Sequence, residues 1–248
     1  MLNVFAWYLW CRDIFRPSRL LAPYRVRAAM VGNVVLCLAL ILIVLVTASS
    51  ADVQCSGYYV CTYELLAALG LAGGLWLLPF FGISPRDDVV ERRNKAAFWA
   101  VNGAFIGLAA CFAGANIGNG PGPQAVLFCA VLGSISFFVV WFVADLAGGH
   151  WTDAIAIERD HGSGMRLGSL LSATGLAFGS ALTGDWVSAE DTLRDFAVRS
   201  WPVIPVLCVA LLAERPLRRS PRIRDGWFAA VVYVALGILC VHLERRSR

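Results

Sequence analysis

The sequence predicts an all-α integral membrane protein with about seven transmembrane helices, six if the last apolar segment does not cross. Two parallel two-helix repeats are expected among them, with an interfacial helix at the N-terminus. Three observations carry this prediction. Of 248 residues, 58% are hydrophobic and 15% charged, whereas about a quarter of a soluble domain is charged, and the mean hydropathy is +0.67. Apolar stretches close to the roughly 20 residues that a helix needs to span the hydrocarbon layer recur along the chain. Two segments, beginning near Glu91 and near Glu158, read alike.

Residues 1–27 form a basic aromatic arm. Its apolar run, Val4 to Trp10, is too short to span, and Arg12, Arg16, Arg19, Arg25 and Arg27 follow it. A cleaved signal peptide has the opposite order, with charge first and a small-residue cleavage site last. The expectation is a helix lying in the interface, with Trp7, Tyr8 and Trp10 at headgroup depth.

Residues 28–83 read as an N-terminal transmembrane hairpin with spans at about 29–47 and 63–81. Cys55 and Cys61 share the short loop before its second span, where an oxidising compartment would permit a disulfide; paired and free thiols are both open to them. Cys37, Cys111, Cys129, Cys208 and Cys240 lie inside apolar segments and read as small core residues. Residues 84–149 form a first repeat with spans at 96–115 and 125–146. Residues 150–217 form a second, with spans at 165–183 and 197–213, the latter containing Pro202 and Pro205. Residues 218–248 add a last apolar helix, 227–243, and a basic tail with Arg245, Arg246 and Arg248.

The repeats follow from aligning Glu91-Arg92 with Glu158-Arg159. Each unit runs from an apolar lead-in through the acidic-basic pair to a glycine-rich span and a polar break, "ANIGNGPG" at 115–122 and "TGDW" at 183–186. Each unit holds two spans, so both Glu-Arg clusters emerge on one side of the membrane. Most of the 21 Lys and Arg fall in the arm and in the loops after the second, fourth and sixth spans, which places the N-terminus and both clusters in the cytoplasm. Anionic lipids account for this arginine-rich face, including residues 215–226, at about 1 kcal/mol per basic residue near the surface. Nucleic acid is not needed to explain it.

At these residues the chain resembles the bacterial inner-membrane family called domain of unknown function 350. The likeness lies in Glu91-Arg92-Arg93-Asn94 followed by Ala96-Ala97 and a glycine-spaced helix, in the second copy from Glu158-Arg159, and in Gly184-Asp185-Trp186, over roughly residues 84–217. The resemblance implies a multi-span helical protein of paired hairpins in the bacterial cytoplasmic membrane, without an established enzymatic activity, and it carries over no catalytic residue. The second copy departs from the first, since Asp160-His161 and Gly162-Ser163-Gly164 replace Arg93-Asn94 and Lys95-Ala96-Ala97.

Polar side chains at membrane depth are costly and usually face protein or a cavity. Asn102, Asp145, Ser172 and Thr174, with Ser169, are the intramembrane candidates, and Asp145 can pair with Arg159 or Arg166 at the inner surface. Glu91, Arg92, Arg93, Asn94, Glu158 and Arg159 are a candidate cytoplasmic motif, serving either as anchors at headgroup depth or as a site for an anionic headgroup, a solute or a protein. Gly103 and Gly107 make a GxxxG, and Gly168, Ser172, Gly175 and Gly179 continue the small-residue pattern that lets helices approach closely. After the second break, Ser188 with Asp191, Glu190 with Arg194 and Asp195 with Arg199 predict a short, capped external helix.

No catalytic pattern emerges. His150, His161 and His242 lack HxxxH or HExxH spacing, no CxxC occurs, and the glycine-rich break lacks the Lys-Ser/Thr of a phosphate-binding loop. No cofactor or metal is expected. Two functions stay open: a non-enzymatic interaction or scaffold component, assembling with itself or with other membrane proteins through small-residue faces, or a channel or small-solute transporter with a pathway between the repeats. Converging deep polar groups would favour transport, and an uncovered small-residue face would favour assembly.

Overall fold

A computed structural model describes residues 2–16, 24–218 and 223–246. Parts of the basic arm, the stretch 219–222 and the end of the basic tail lie outside these. Eleven α-helices are described: α1 (Leu2–Phe15), α2 (Tyr24–Thr47), α3 (Ala51–Gln54), α4 (Gly57–Leu77), α5 (Lys95–Ala115), α6 (Pro123–Ala147), α7 (Trp151–Ala156), α8 (His161–Ala181), α9 (Ala189–Arg199), α10 (Val203–Arg218) and α11 (Ile223–Arg246). A 3-10 turn, Leu78–Phe81, extends α4, and a π-helical turn, Pro85–Glu91, precedes α5. No strand occurs among the described residues.

Among the described residues, five helices are long and apolar enough to cross a membrane: Arg25–Thr47, Gly57–Phe81, Lys95–Ala115, Pro123–Ala147 and Gly226–Arg246. The pair α9 and α10, bent by 44°, makes a sixth if it is one span. Several such helices make this a multi-pass membrane protein. The segment at 165–183, expected as a span, is not among the five. It belongs to α8, which carries Arg166, four serines and Thr174. Seventeen of its 21 residues are buried, so its neighbours rather than lipid receive its polar side chains, and it does not need a lipid-compatible surface.

The long helices are neighbours in the order α2, α5, α8, α11, with α1 against α4, α6 against α5 and α8, and α10 against α8 and α11. Helices α5 and α8 run parallel and in contact along their whole length. A Cβ placed on Gly164 would stand 2.3 Å from the Ala96 carbonyl oxygen, one on Gly103 2.1 Å from that of Gly168, and one on Gly114 2.0 Å from that of Gly179. The small-residue faces are therefore consumed inside the chain, backbone against backbone. On the far side of α8, Gly226 and Gly237 of α11 face Gly162 and Ala173, again in parallel order.

Element bounds recur at a spacing of 66 residues. Helices α5 and α8 start at 95 and 161 and end at 115 and 181; the apolar helices Gly57–Phe81 and Pro123–Ala147 start at 57 and 123; α9 starts at 189. Beyond the ends of α5 and α8 the two following loops pair. Gly118 and Gly184, at φ 131° and 141°, take left-handed backbone that glycine tolerates best, while Gly184 N–H donates to Ile117 O at 2.9 Å and Trp186 N–H to Asn119 O at 2.7 Å.

The N-terminal arm differs from expectation. Helix α1 runs alongside α4 instead of lying across the bundle's end, with Asn3 Nδ2 donating to Leu65 O at 2.7 Å and Trp7 Nε1 to Ala68 O at 3.1 Å. Its far end is held by Asp13 and Arg86 at 2.6 Å. An interfacial aromatic helix and a helix laid along a span share the same composition, and what separates them here is a row of α4 carbonyls that α1 can reach. Of the two states open to Cys55 and Cys61, the structure has free thiols. Cys55 caps α3, Cys61 sits in the second turn of α4, and both are free and exposed. The short capped helix expected after the second break forms as α9, with Ser188 accepting from Asp191 N–H and Arg199 paired with Asp195 at 2.6 Å.

Candidate functional site

The candidate cytoplasmic motif forms two linkers of matching backbone. In the first, Arg92 N–H donates to Asp87 O at 2.9 Å and Asn94 N–H to Asp88 O at 3.0 Å; in the second, Glu158 N–H donates to Asp153 O at 3.2 Å and Asp160 N–H to Ala154 O at 2.9 Å. Arg93 and Arg159 take the same left-handed turn, at φ 53° and 58°. Asn94 and Asp160 then cap α5 and α8, the first accepting from Ala96 and Ala97 N–H and the second from Gly162 and Ser163 N–H. The matching positions are thus 66 residues apart. Arg93 answers to Arg159 and Asn94 to Asp160, so Glu91 and Glu158, 67 apart, are not equivalent.

The two Glu-Arg clusters do not join. Glu91 accepts from Arg86 at 3.3 Å and Arg92 pairs with Asp88 at 3.0 Å, while Glu158 and Arg159 are exposed and without an ion-pair partner among the described residues. What joins the linkers is Asn94, whose Nδ2 donates to Ile155 O at 2.6 Å. Its side chain thus closes one helix and ties it to the linker of the next.

The four intramembrane candidates do not converge. Asp145 accepts from Thr152 N–H and Oγ1–H, each at 2.6 Å, and so holds the start of α7 instead of pairing with Arg159 or Arg166. Thr174 is enclosed by protein, and its hydroxyl has no hydrogen-bond partner. Asn102 Nδ2 donates to Phe98 O at 2.7 Å, and Ser172 Oγ donates to Gly168 O at 2.9 Å and to Gly103 O at 3.3 Å. These last two line one groove, of about 460 Å³, between α5, α8 and α11.

The densest polar constellation is one the sequence reading does not single out. Arg166 and Glu214, 2% and 0% exposed in their side chains, meet at 2.6 Å through Nε and Oε2. Arg166 Nη2 donates to Glu214 Oε1 at 3.1 Å and to Ser163 Oγ at 2.9 Å, and Ser163 Oγ–H donates to Glu214 Oε1 at 2.8 Å. Arg218 reaches the same oxygen at 3.3 Å, and Asp160 stands 3.5 Å from Arg166. Burial alone would push the Asp160 carboxyl up, but its hydrogen bonds from Ser163 and Gly162 and the charge of Arg166 outweigh burial and hold it below the usual carboxylate range. Both oxygens of Glu214 accept hydrogen bonds from protein, so the cluster is a lock between α8 and α10.

Among the described residues no group of three His, Cys, Asp or Glu could hold a metal ion. Compared with models of known families, with curated proteins and with solved structures, the chain finds no match.

Proposed function

We propose that this chain is a non-enzymatic interaction or scaffold component of a membrane assembly, built from tandem helical hairpins in a bacterial cytoplasmic membrane. The observation that carries the reading is the backbone contact between α5 and α8. A transport pathway between the two units needs space there, and Gly103, Gly114 and Gly164 instead stand against Gly168, Gly179 and Ala96 with no room for a methyl group. The dispersal of Asn102, Asp145, Ser172 and Thr174 also speaks against a pathway, and since the small-residue faces expected to mediate assembly are packed within the chain, contact with partners falls to other exposed helix faces. Purified protein in liposomes is expected to pass ions and small solutes no faster than empty vesicles. Flux that falls in Asn102→Ala or Asp145→Asn would overturn the scaffold in favour of a channel.

The spacing of 66 residues supports reading Gly57–Phe81 with α5, and Pro123–Ala147 with α8, as successive hairpins of one repeat, with α9, α10 and α11 as the next. Under this reading α8 is a span, shielded from lipid by α5, α6, α10 and α11, and the resemblance to domain of unknown function 350, over roughly residues 84–217, covers α5 to α10 with the hairpins divided differently. The excess of arginine at the linker ends of α5 and α8 supports a cytoplasmic position for them and for the end of α1 that Asp13 ties to Arg86. Cys55 and Cys61, exposed at the other end, test it. A membrane-impermeant maleimide added to intact cells is expected to label them, with labelling lost in the Cys55→Ser, Cys61→Ser double variant. Labelling only after the cells are opened would reverse the orientation.

A further inference from the structure

We infer that the groove between α5, α8 and α11 holds one anionic phospholipid, its acyl chain along the groove and its phosphate at Lys95. The floor is small, formed by Gly168, Ser169 and Ser172 of α8, and the walls are Ile106 of α5 and Val231 and Ile238 of α11, the last two largely exposed. A volume of about 460 Å³ with almost wholly apolar walls falls in the range of small-molecule sites, about 300–1,000 Å³, and a chain-shaped apolar ligand fits an elongated trough between three helices. Its inner end is marked by Trp99 and Trp227, edge to face at 5.3 Å, the residue type that settles at the boundary of hydrocarbon and headgroup.

Charge at that mouth selects the headgroup. Lys95 lies one turn before Trp99 on the same face of α5, is exposed, and has no ion-pair partner among the described residues. Its charge acts on the His161 ring, whose Nε2 accepts from Trp99 Nε1 at 2.7 Å, so the imidazole is oriented with its other nitrogen available. The nearby carboxylate, Asp160, is engaged by the α8 cap and by Arg166. A cation beside a groove between helices, at the end where their N-termini emerge, suits a phosphate. Asn102, about two turns above Lys95, lies along the path of the acyl chain and spends an amide hydrogen on Phe98 O.

Native mass spectrometry of the purified full chain, offered equal amounts of phosphatidylglycerol and phosphatidylcholine with identical acyl chains, tests this. One phosphatidylglycerol is expected to be retained, preferred by about fivefold for a single cation at the headgroup. Lys95→Gln is expected to bring the preference near unity and Lys95→Arg to keep it, whereas Ala235→Phe, which fills the groove from an exposed position on α11, should lose both lipids while circular dichroism and elution volume stay unchanged. Equal retention of the two lipids by the wild type would overturn the headgroup assignment. Undiminished phosphatidylglycerol on Ala235→Phe would overturn the groove in favour of the basic arm. Conversion of a dimer to a monomer by Ala235→Phe would make the groove a contact between copies and overturn the lipid.

Discussion

Gly103→Ala is expected to destabilise the protein by about 1–3 kcal/mol, the cost of overpacking a tight contact, while Gly73→Ala, in another span, is expected to stabilise it by about 0.5–1 kcal/mol through helix propensity. The same methyl group is added in both cases. At Gly103 it would lie 2.1 Å from the carbonyl oxygen and 2.3 Å from the Cα of Gly168, atoms that cannot rotate away; at Gly73 nothing lies within 4 Å. Water does not drive helices together inside a bilayer, because lipid tails are as apolar as the side chains they would replace, so close packing supplies most of the association energy there. Separating α5 from α8 by even half an ångström loses contacts along both helices at once. Thermal unfolding of the two variants in one detergent measures the difference. Equal shifts, or a loss at Gly73 as large as at Gly103, would remove the α5–α8 contact from its place as the organising feature of the fold.

That contact also explains how much the sequence discloses. The apolar spans are legible because hydrocarbon thickness sets their length, and 29–47, 96–115 and 125–146 fall within a few residues of α2, α5 and α6. The small-residue stripe at Gly103, Gly107, Gly168 and Gly175 is legible as a packing surface, but the same pattern serves a contact within one chain or between two. The letters align Glu91-Arg92 with Glu158-Arg159 at a spacing of 67, while the backbone matches Asn94 to Asp160 at 66, two different residue types performing one capping task. Capping tolerates Asn and Asp alike, so identity is a poor guide to position there. The groove is illegible because it needs three helices in place, although Lys95, Trp99, Asn102 and Ile106 share the face of α5 that lines it.

Arg166→Gln and Glu214→Gln are each expected to cost about 3–5 kcal/mol, the penalty for leaving the other charge buried without its partner. Replacing both with apolar residues of similar volume, Arg166→Met with Glu214→Leu, should recover most of that loss, because desolvation of the two ions offsets much of their attraction. Neither residue is conspicuous in the sequence. Arg166 follows Gly162-Ser163-Gly164, and Glu214 sits just ahead of a basic stretch, 48 residues farther on. Only the fold brings them together, and it does so at 0% and 2% side-chain exposure with Ser163 and Arg218 supplying further hydrogen bonds. The lock has a definite task. Helix α10 follows the 44° bend after α9 and carries Pro216 near its end, so its lower half has little backbone reason to stay against α8. Unfolding measurements on Arg166→Met, Glu214→Leu and the two combined form a cycle in which the coupling energy is read directly. A double variant as unstable as the sum of the singles would show that Arg166 and Glu214 act separately. Recovery in the double variant, together with faster proteolysis near Pro216, would place the pair as the clamp that fixes α10 in the bundle rather than as a site for a ligand.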